Sequence, residues 1–293
     1  FKLVMYEIST KDLFLWIKDI KKTRQDIDDL YLLLDLIGGI SKSDLLLLKI
    51  NSKEKVNSKI DFHSLKKKWV DHTDLSKPIQ YICKSSYWRN FKFELSTDVL
   101  IPRVETEQIV EIATKIVAPA EKEIIFADLG TGSGSIAISL AVENRNWKGL
   151  ATDIDINAIN IAIQNQKKIS SESNINFYCG NWWQPLTNYA GMINLAISNP
   201  PYIPKNVYER LPSSVIDFEP KKALYGGEDG LSHIKQIISD APKFLVKGGW
   251  LILENHFDQS KKIKNLLREY GFDSLKTIND TFGIGRFTIG RYK

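Results

Sequence analysis

The chain has 293 residues, of which 43% are hydrophobic, 26% charged and 11% aromatic. These are the proportions of an ordinary globular protein, and they exclude a disordered chain and a fibrous repeat. No apolar run approaches the roughly 20 residues that cross a bilayer, and the amino-terminal residues lack the order of a signal peptide. We therefore expect a cytoplasmic protein outside the membrane. The first residue is Phe1 rather than Met, which indicates an altered or missing start.

The cysteines and histidines form neither a disulfide pattern nor a metal pattern. The two cysteines, Cys83 and Cys179, lie far apart, and no two of the four histidines stand at H-x-x-x-H spacing. A reduced compartment without a disulfide framework is therefore expected. The histidine spacing argues against a zinc site, so no metal is predicted.

The formal net charge of +5 is uneven along the chain. Residues 1–84 contain 16 Lys and Arg against 12 Asp and Glu, so most of the excess lies there. A solvated face of helices would explain this excess. The alternative is a surface for an anionic partner, such as the ribosome or an RNA-associated protein.

Residues 1–84 are predicted to form a small helical bundle that selects a macromolecular substrate. One helix presents an apolar face with i, i+3, i+4, i+7 spacing, formed by Ile27, Leu30, Tyr31, Leu34 and Ile37. Gly38-Gly39 should end this helix, since glycine accepts the left-handed conformation. Ser43-Asp44 is expected to cap the next helix. Leu65 and Trp69 indicate another helix, and Pro78 is expected to open a short one.

Residues 85–100 are predicted to be a β-hairpin that links two domains. Trp88, Phe91, Phe93 and Leu95 stand in near-alternation with polar residues, which is typical of strands with one buried face.

Residues 101–293 are predicted to be an α/β domain. Five apolar strands alternate with helical stretches, at 123–129, 149–153, 175–179, 193–198 and 250–254. This alternation is typical of a mainly parallel sheet with helices on both faces. Two further strands, at 275–278 and 286–292, have a short connection and should be antiparallel. The expected fold class is therefore α/β, a Rossmann-like seven-stranded sheet preceded by the helical bundle and the hairpin linker.

A glycine-rich turn follows the first strand of this sheet. Residues 128–134 read Asp-Leu-Gly-Thr-Gly-Ser-Gly, and a helix is expected to begin directly after them. Glycines permit positive φ and a close approach of the backbone to a ligand. Asp153 ends the next strand, where a carboxylate can accept both hydroxyls of a ribose. The candidate cofactor-binding residues are Asp128, Gly130, Thr131, Gly132, Ser133, Gly134 and Asp153.

The spacing of the glycines favours one nucleoside cofactor over others. G-x-G-x-G differs from the G-x-G-x-x-G of dinucleotide folds and from a P-loop. Asp128 would face a cationic or amine group more readily than a pyrophosphate. S-adenosylmethionine, with its amino acid moiety and sulfonium, is therefore the predicted cofactor, and a NAD-dependent oxidoreductase is disfavoured.

A second motif, Asn199-Pro200-Pro201-Tyr202, follows the strand at 193–198. The two prolines stiffen the backbone and offer no N–H. The side-chain carbonyl of Asn199 and the main-chain carbonyl of Pro200 can then act as acceptors for the two N–H groups of a primary amide or an exocyclic amine. Pro201 and Tyr202 would shape the slot, with Tyr202 against the flat group being modified.

This tetrad suits transfer of a methyl group to a planar nitrogen. The reaction is an in-line displacement, so positioning is the main requirement. Hydrogen bonds from both N–H groups increase the electron density on the nitrogen, and the two carbonyl dipoles stabilise the charge that develops there. Asn199, Pro200 and Tyr202 are the predicted catalytic residues.

With these motifs the chain resembles the HemK/PrmC family of release factor glutamine N5-methyltransferases, which have a class I methyltransferase sheet. The glycine-rich turn, Asp153 and the tetrad match that family. Residues 101–107 (I-P-R-V-E-T-E) are similar to its I-P-R-P-D/E-T-E segment, and residues 218–224 are similar to its F-E-P-x-x-A-L segment. Residues 78–82 resemble its P-x-Q-Y-I/L segment.

The resemblance implies roles for individual residues. The turn would line the methionine part of the cofactor, and Asp153 would hold the ribose. Trp182 matches an aromatic residue beside the adenine, although Asn181 replaces the acid that usually precedes it. Asn199 would touch both the cofactor and the substrate. Arg103 and Glu107 are expected to contact the substrate, with an ion pair between domains as the alternative.

The resemblance also implies the substrate: the glutamine in the Gly-Gly-Gln motif of peptide chain release factors. Alternatives left open are a ribosomal protein glutamine and an exocyclic amine of nucleic acid. No base-flipping recognition region is evident, so direct binding of nucleic acid is not required. An alternative of another class is a non-catalytic scaffold that binds S-adenosylmethionine, against which the intact Asn199 and Tyr202 argue. A monomer is expected.

Overall fold

The structure is a computed structural model that describes residues 4–23, 27–117 and 123–293. The chain divides into two compact units, Phe1–Ser85 and Ser86–Lys293. None of the helices within the described ranges is long and apolar enough to cross a membrane.

The first unit is built mainly of helices around one apolar core. The helices of this unit are α1 (Thr10–Thr23), α2 (Ile27–Leu33), α3 (Lys42–Ile50), α4 (Phe62–Leu75) and α5 (Ile79–Cys83), with a π-helical turn at Leu34–Gly38. Leu30, Leu34 and Leu65 are fully buried in the core. An antiparallel pair of strands, β1 (Tyr6–Ser9) and β2 (Lys55–Ser58), accompanies the helices. The sequence did not predict this pair because each strand has four residues and little apolar alternation.

Two local details of the first unit differ from the predictions. The helix that begins at Ile27 widens into the π-helical turn, which changes the face that points inward. As a result Leu36 is buried and Ile37 is only half-buried. The cap of α3 is Ser41 rather than Ser43: the Ser41 hydroxyl accepts from the Asp44 N–H, and the Asp44 carboxylate accepts from the Ser41 N–H. The predicted end of the preceding helix is confirmed, with Gly39 at φ +70°.

The second unit contains a hairpin and a seven-stranded sheet. The hairpin strands are β3 (Ser85–Trp88) and β4 (Phe91–Glu94). The sheet strands are β5 (Ile124–Leu129), β6 (Trp147–Asp153), β7 (Ile175–Cys179), β8 (Ile193–Ser198), β9 (Leu245–Glu254), β10 (Phe272–Asn279) and β11 (Gly285–Tyr292). Their order is β10-β11-β9-β8-β5-β6-β7. The first five of these strands in the chain are parallel to one another, and β11 pairs antiparallel with both of its neighbours, β9 and β10. The predicted fold class is therefore confirmed.

Helices cover both faces of this sheet. They are α6 (Gln108–Val117), α7 (Ser135–Glu143), α8 (Ile156–Ile169), α12 (Ser232–Phe244) and α13 (Ser260–Glu269). Three short helices, α9 (Lys205–Tyr208), α10 (Ser213–Ile216) and α11 (Lys221–Leu224), lie in the segment between β8 and α12. Successive residues of a strand point to opposite faces. Phe126 therefore packs with residues of α6 and α7, whereas Ala127 packs with residues of α12 and α13. β5 lies between β6 and β8, so the chain reverses direction across the sheet at β5, which is where ligands bind in open α/β sheets.

Asn165 of α8 joins the hairpin to the glycine-rich turn. Its side chain is fully buried. The Oδ1 atom accepts from the Glu94 N–H at 2.7 Å, and Nδ2 donates to the Glu94 carbonyl at 3.1 Å and to the Ser133 carbonyl at 2.9 Å. One buried amide thus satisfies three backbone groups of β4 and the turn.

We expect Asn165→Ala to lower the free energy of unfolding by about 2–4 kcal/mol, because three backbone groups would lose their partner. The measurement is chemical denaturation of the variant beside Asn160→Ala, a matched change at an exposed position of the same helix. Equal stabilities of the two variants would contradict the assigned role of Asn165.

Candidate functional site

A cavity of about 300 Å³ opens where β5, β6 and β8 end. Its volume lies at the lower end of the range for small-molecule sites. Nine of the predicted site residues line it: Arg103, Gly130, Thr131, Gly132, Ser133, Asp153, Trp182, Asn199 and Pro201. Five predicted site residues are not among its lining residues: Asp128, Gly134, Pro200, Tyr202 and Glu107.

The glycine-rich turn is held by the end of β6. The N–H groups of Gly130 and Thr131 both donate to the Thr152 carbonyl at 2.8 Å. Gly130, Gly132 and Gly134 have φ of +78°, +55° and +82°, the left-handed region that glycine tolerates. A Cβ on Gly130 would lie 2.9 Å from the Trp182 ring, whereas a Cβ on Gly132 would meet nothing within 4 Å. The turn is therefore covered by Trp182 at one glycine and open at the next.

Asp153 braces the same turn from β6. Its Oδ2 accepts from the Gly132 N–H at 2.9 Å, and its Oδ1 accepts from the Asp155 N–H at 3.0 Å. Burial raises the pKa of Asp153, and these backbone hydrogen bonds oppose the shift. Each carboxylate oxygen keeps acceptor capacity for a further donor. Asp153 is thus a desolvated carboxylate on the cavity wall that can accept hydroxyl hydrogens.

Asp128 lies beneath the turn. Its side chain is fully buried, and Oδ2 accepts from the Thr131 hydroxyl at 2.7 Å and from the Ala137 N–H at 3.2 Å. Oδ1 is buried with no hydrogen-bond partner in the structure. Burial raises the pKa of this carboxyl to about 7. Asp128 therefore shapes the turn from below, without lining the cavity.

The two adjacent tryptophans have different surroundings. Trp183 is buried, stacks on Phe244 at 4.9 Å between ring centroids, and donates its indole N–H to the Ile237 carbonyl at 3.0 Å. Trp182 lines the cavity with φ of +47°, and its ring meets that of His233 edge-on at 5.6 Å. Its buried Nε1 has no partner in the structure. Trp183 is therefore a core residue, and Trp182 is part of the site.

The tetrad at residues 199–202 borders the same cavity as the glycine-rich turn. Asn199 Nδ2 donates to the Thr106 hydroxyl at 3.3 Å, and Pro201 lines the cavity. The Tyr202 hydroxyl donates to Glu254 Oε1 at 3.0 Å, and the Tyr202 carbonyl accepts from Gln259 at 2.9 Å. Burial, reinforced by Glu254, raises the pKa of Tyr202. Tyr202 thus remains a neutral phenol that braces the tetrad.

Arg103 and Glu107 do not form an ion pair with each other. Arg103 Nη2 contacts Oε1 of the buried Glu219 at 2.5 Å, while Glu219 Oε2 has no hydrogen-bond partner. Glu107 Oε1 accepts from the Arg89 N–H at 2.8 Å. Arg103 lies on the cavity wall, held there by Glu219. Glu107 instead anchors the tip of the hairpin.

Several residues of the site were not predicted from the sequence. Lys221, Lys222 and His233 line the cavity, and Lys222 is paired with Asp155. Thr106 also lines the cavity and contacts Asn199, and Glu254 contacts Tyr202 from outside the cavity lining. The sequence signal for Glu254 is its position: it ends an apolar strand, as Asp153 does, and Asp128 is the last residue but one of its strand.

The fold matches known methyltransferases. The family model described as Methyltransferase small domain matches residues 102–213. Among solved structures, the hMettl16 catalytic domain superposes with a TM-score of 0.54 at 16% identity, over 78% of this chain and 80% of the other. A methyltransferase from Pyrococcus furiosus gives a TM-score of 0.50 at 18% identity, over 78% and 95%. At such identities the likeness concerns the fold alone. Sheet order, turn and family model together define the class I methyltransferase fold.

Curated relatives narrow the class to one family. The chain is 37% identical to the release factor glutamine methyltransferase of Prochlorococcus marinus, over 96% of each chain. It is 39% identical to that of Coxiella burnetii, over 73% of this chain and 75% of the relative. The chain belongs to the release factor glutamine methyltransferase family, and the resemblance seen in the sequence is confirmed.

At pH values above about 7, replacing Asp128 by Asn is expected to raise the melting temperature of the protein. Since the folded-state pKa of Asp128 is raised to about 7, the stability contributed by the protonated form is lost as the pH rises through that value. An amide oxygen can still accept from Thr131 and Ala137, and it carries no charge. The gain of D128N over wild type should therefore shrink toward about pH 5. Melting curves across pH measure this, with exposed Asp217→Asn as control; a pH-independent gain would contradict it.

Proposed function

We propose that the protein transfers a methyl group from S-adenosylmethionine to the side-chain amide nitrogen of the glutamine in the Gly-Gly-Gln motif of peptide chain release factors. The observation that carries this proposal is that the Asn199 tetrad borders the same cavity as the glycine-rich turn and Asp153. Membership of the family supports the substrate, because its curated members are named for release factor glutamine.

The residues present fit S-adenosylmethionine. Gly132 leaves open space beside the turn, the carboxylate of Asp153 faces the cavity, and the indole N–H of Trp182 has no partner. Asp153 would accept the ribose hydroxyls, and Trp182 would lie against the adenine. The turn from Gly130 to Gly134 would hold the methionine part, with Asp128 acting from beneath it. When bound, the cofactor supplies a methyl group that is activated on a sulfonium.

The tetrad would hold the substrate amide. Asn199 Nδ2 is engaged by Thr106, so Oδ1 is the atom free to accept from the glutamine. The Pro200 carbonyl would accept the second N–H, and Pro201 with Tyr202 would form the slot. Two acceptors hold the nitrogen in one orientation and stabilise the positive charge that develops on it. Asn199, Pro200 and Tyr202 act as a fixed frame. None needs to act as a strong base, because the methylated amide nitrogen is acidic and can release its extra proton to water after the transfer.

Charged residues outside the tetrad would contact other parts of the substrate protein. Arg103 would contact the incoming segment at the cavity, with Glu107 holding the hairpin beside it. The first unit, as an N-terminal recognition domain at residues 1–84, carries most of the positive excess and would select the release factor. We place the reaction in the cytoplasm, with a monomeric enzyme that needs neither a membrane nor direct binding of nucleic acid.

Incubation with labelled S-adenosylmethionine and a purified release factor should place the label on the glutamine of its Gly-Gly-Gln motif, located by mass spectrometry. Asn199→Ala should lower kcat by about 100-fold or more, as loss of one positioned polar group does in other enzymes. Its cofactor affinity should be largely retained. Asn160→Ala, outside the cavity, is the matched control.

Two results would reject this assignment. Label on a ribosomal protein or nucleic acid in place of the release factor would change the substrate. Near-normal turnover by Asn199→Ala would remove the proposed role of the tetrad.

Asp153→Ala should weaken the binding of S-adenosylmethionine by about 1.5–3 kcal/mol, because charge-assisted hydrogen bonds to the ribose would be lost. Calorimetry measures this directly, and Asp217→Ala at an exposed position is the control. A melting curve without cofactor separates the loss of the Gly132 contact from the loss of the ribose contact. Unchanged affinity would rule out the ribose assignment.

A further inference from the structure

A chain of hydrogen bonds runs from Asn199 and Thr106, which both line the cavity, to Glu254, which does not. Asn199 Nδ2 donates to Thr106 Oγ1 at 3.3 Å, and the Thr106 hydroxyl donates to Glu254 Oε2 at 2.7 Å. The Tyr202 hydroxyl donates to the other oxygen, Glu254 Oε1, at 3.0 Å. Thr106 and Glu254 are only 4% and 1% exposed, so each relies mainly on protein partners for its hydrogen bonds. The first and last residues of the tetrad are therefore joined through one buried carboxylate.

The direction of this chain depends on the charge of Glu254. An ionised carboxylate has no proton to donate, so both hydroxyls must donate to it. The hydrogen of Thr106 is then used, and its oxygen can only accept from Asn199. This requires the Nδ2 side of the Asn199 amide to face Thr106, which leaves Oδ1 for a substrate N–H.

A protonated Glu254 would permit the opposite direction. Its own hydrogen could be donated to Thr106, whose hydroxyl could then donate to Asn199. The amide could then turn, so that Oδ1 faces Thr106 and Nδ2 faces the substrate. Two N–H donors would face each other, and the substrate amide would lose an acceptor.

We propose that Glu254 is a positioning residue which, through Thr106, fixes the orientation of the Asn199 amide in the tetrad. This rests on the proposed function, since the orientation matters only if Asn199 Oδ1 accepts from the substrate. Glu254 itself does not line the cavity and acts through Thr106 and Tyr202.

The charged groups around Glu254 set the pH at which the orientation changes. Burial raises the pKa of Glu254 to about 7, and hydrogen bonds from Thr106 and Tyr202 oppose the shift. Arg286, which pairs with Asp280 at 2.7 Å, also favours the ionised form, whereas Glu105 disfavours it. The proton is therefore gained as the pH falls through about 7, and in that direction the constraint that fixes the amide orientation is lost.

The first test removes the Thr106 hydroxyl. Thr106→Val should lower kcat about ten-fold, the effect of losing one hydrogen bond that acts in the transition state, with unchanged affinity for S-adenosylmethionine. Thr106→Ser restores a hydroxyl and should recover most of the loss. Thr114→Val is the matched control: the Thr114 hydroxyl also accepts from an asparagine, Asn144 Nδ2 at 3.2 Å, outside the cavity.

The second test fixes the charge state. Glu254→Gln should turn over at the low rate that wild type reaches at acidic pH, and its kcat should not change across the range around pH 7. Arg286 keeps Asp280 in this variant, so the fold retains that pair.

A spectroscopic reading does not depend on catalysis. The side-chain amide signals of Asn199, assigned by their absence in Asn199→Ala, should titrate near pH 7 in wild type and not in Glu254→Gln. If no release factor is methylated, the proposed function fails while this titration still tests the hydrogen-bond chain. Wild-type kcat in Thr106→Val, a Ser variant as slow as the Val variant, or Asn199 signals that ignore Glu254 would each overturn the proposal.

Discussion

Burial of carboxyl groups at the ends of parallel strands organises this site. Asp128 is the last residue but one of β5, Asp153 ends β6 and Glu254 ends β9. Burial raises the pKa of all three carboxyl groups. A desolvated carboxyl must find donors. Asp128 finds Thr131 and the helix that follows the turn, Asp153 finds the N–H of Gly132, and Glu254 finds the hydroxyls of Thr106 and Tyr202. The turn and the tetrad are thus both shaped by satisfying buried acids.

Sheet order explains why two motifs far apart in the sequence serve one cavity. β5 and β8 are parallel neighbours, with Asp128 opposite Ile197. The turn after Leu129 and the tetrad after Ser198 therefore leave the sheet at the same edge. The Ser198 hydroxyl donates to the Leu129 carbonyl at 2.6 Å and ties the two exits together. This hydrogen bond between two buried residues sets the spacing of the two exits, and fixed spacing is what a reaction controlled by positioning requires.

The strands and the two motifs could be predicted because their signals are local. Apolar runs such as 193–198 and the glycines at 130, 132 and 134 carry the pattern in consecutive residues. Contacts between distant positions carry no such pattern. Three such contacts join residues that only the folded sheet brings together: Arg103 with Glu219, Glu107 with the hairpin, and Thr106 with Glu254. The π-helical turn at Leu34–Gly38 was likewise hidden, since a regular helix fits the same apolar residues.

The position of Tyr202 shows what the fold adds to the interpretation of a motif. The sequence alone predicts an aromatic face against the substrate, and the structure adds that the hydroxyl of Tyr202 is bound to Glu254 and its carbonyl is held by Gln259. Tyr202 therefore fixes the end of the tetrad, and the backbone between Asn199 and Tyr202 is held at both ends. Two prolines stiffen this span, and the bonds at its ends fix its direction. Rigidity of the acceptor pair is then a property of the whole sheet edge, with Asn199 as the part that we propose meets the substrate.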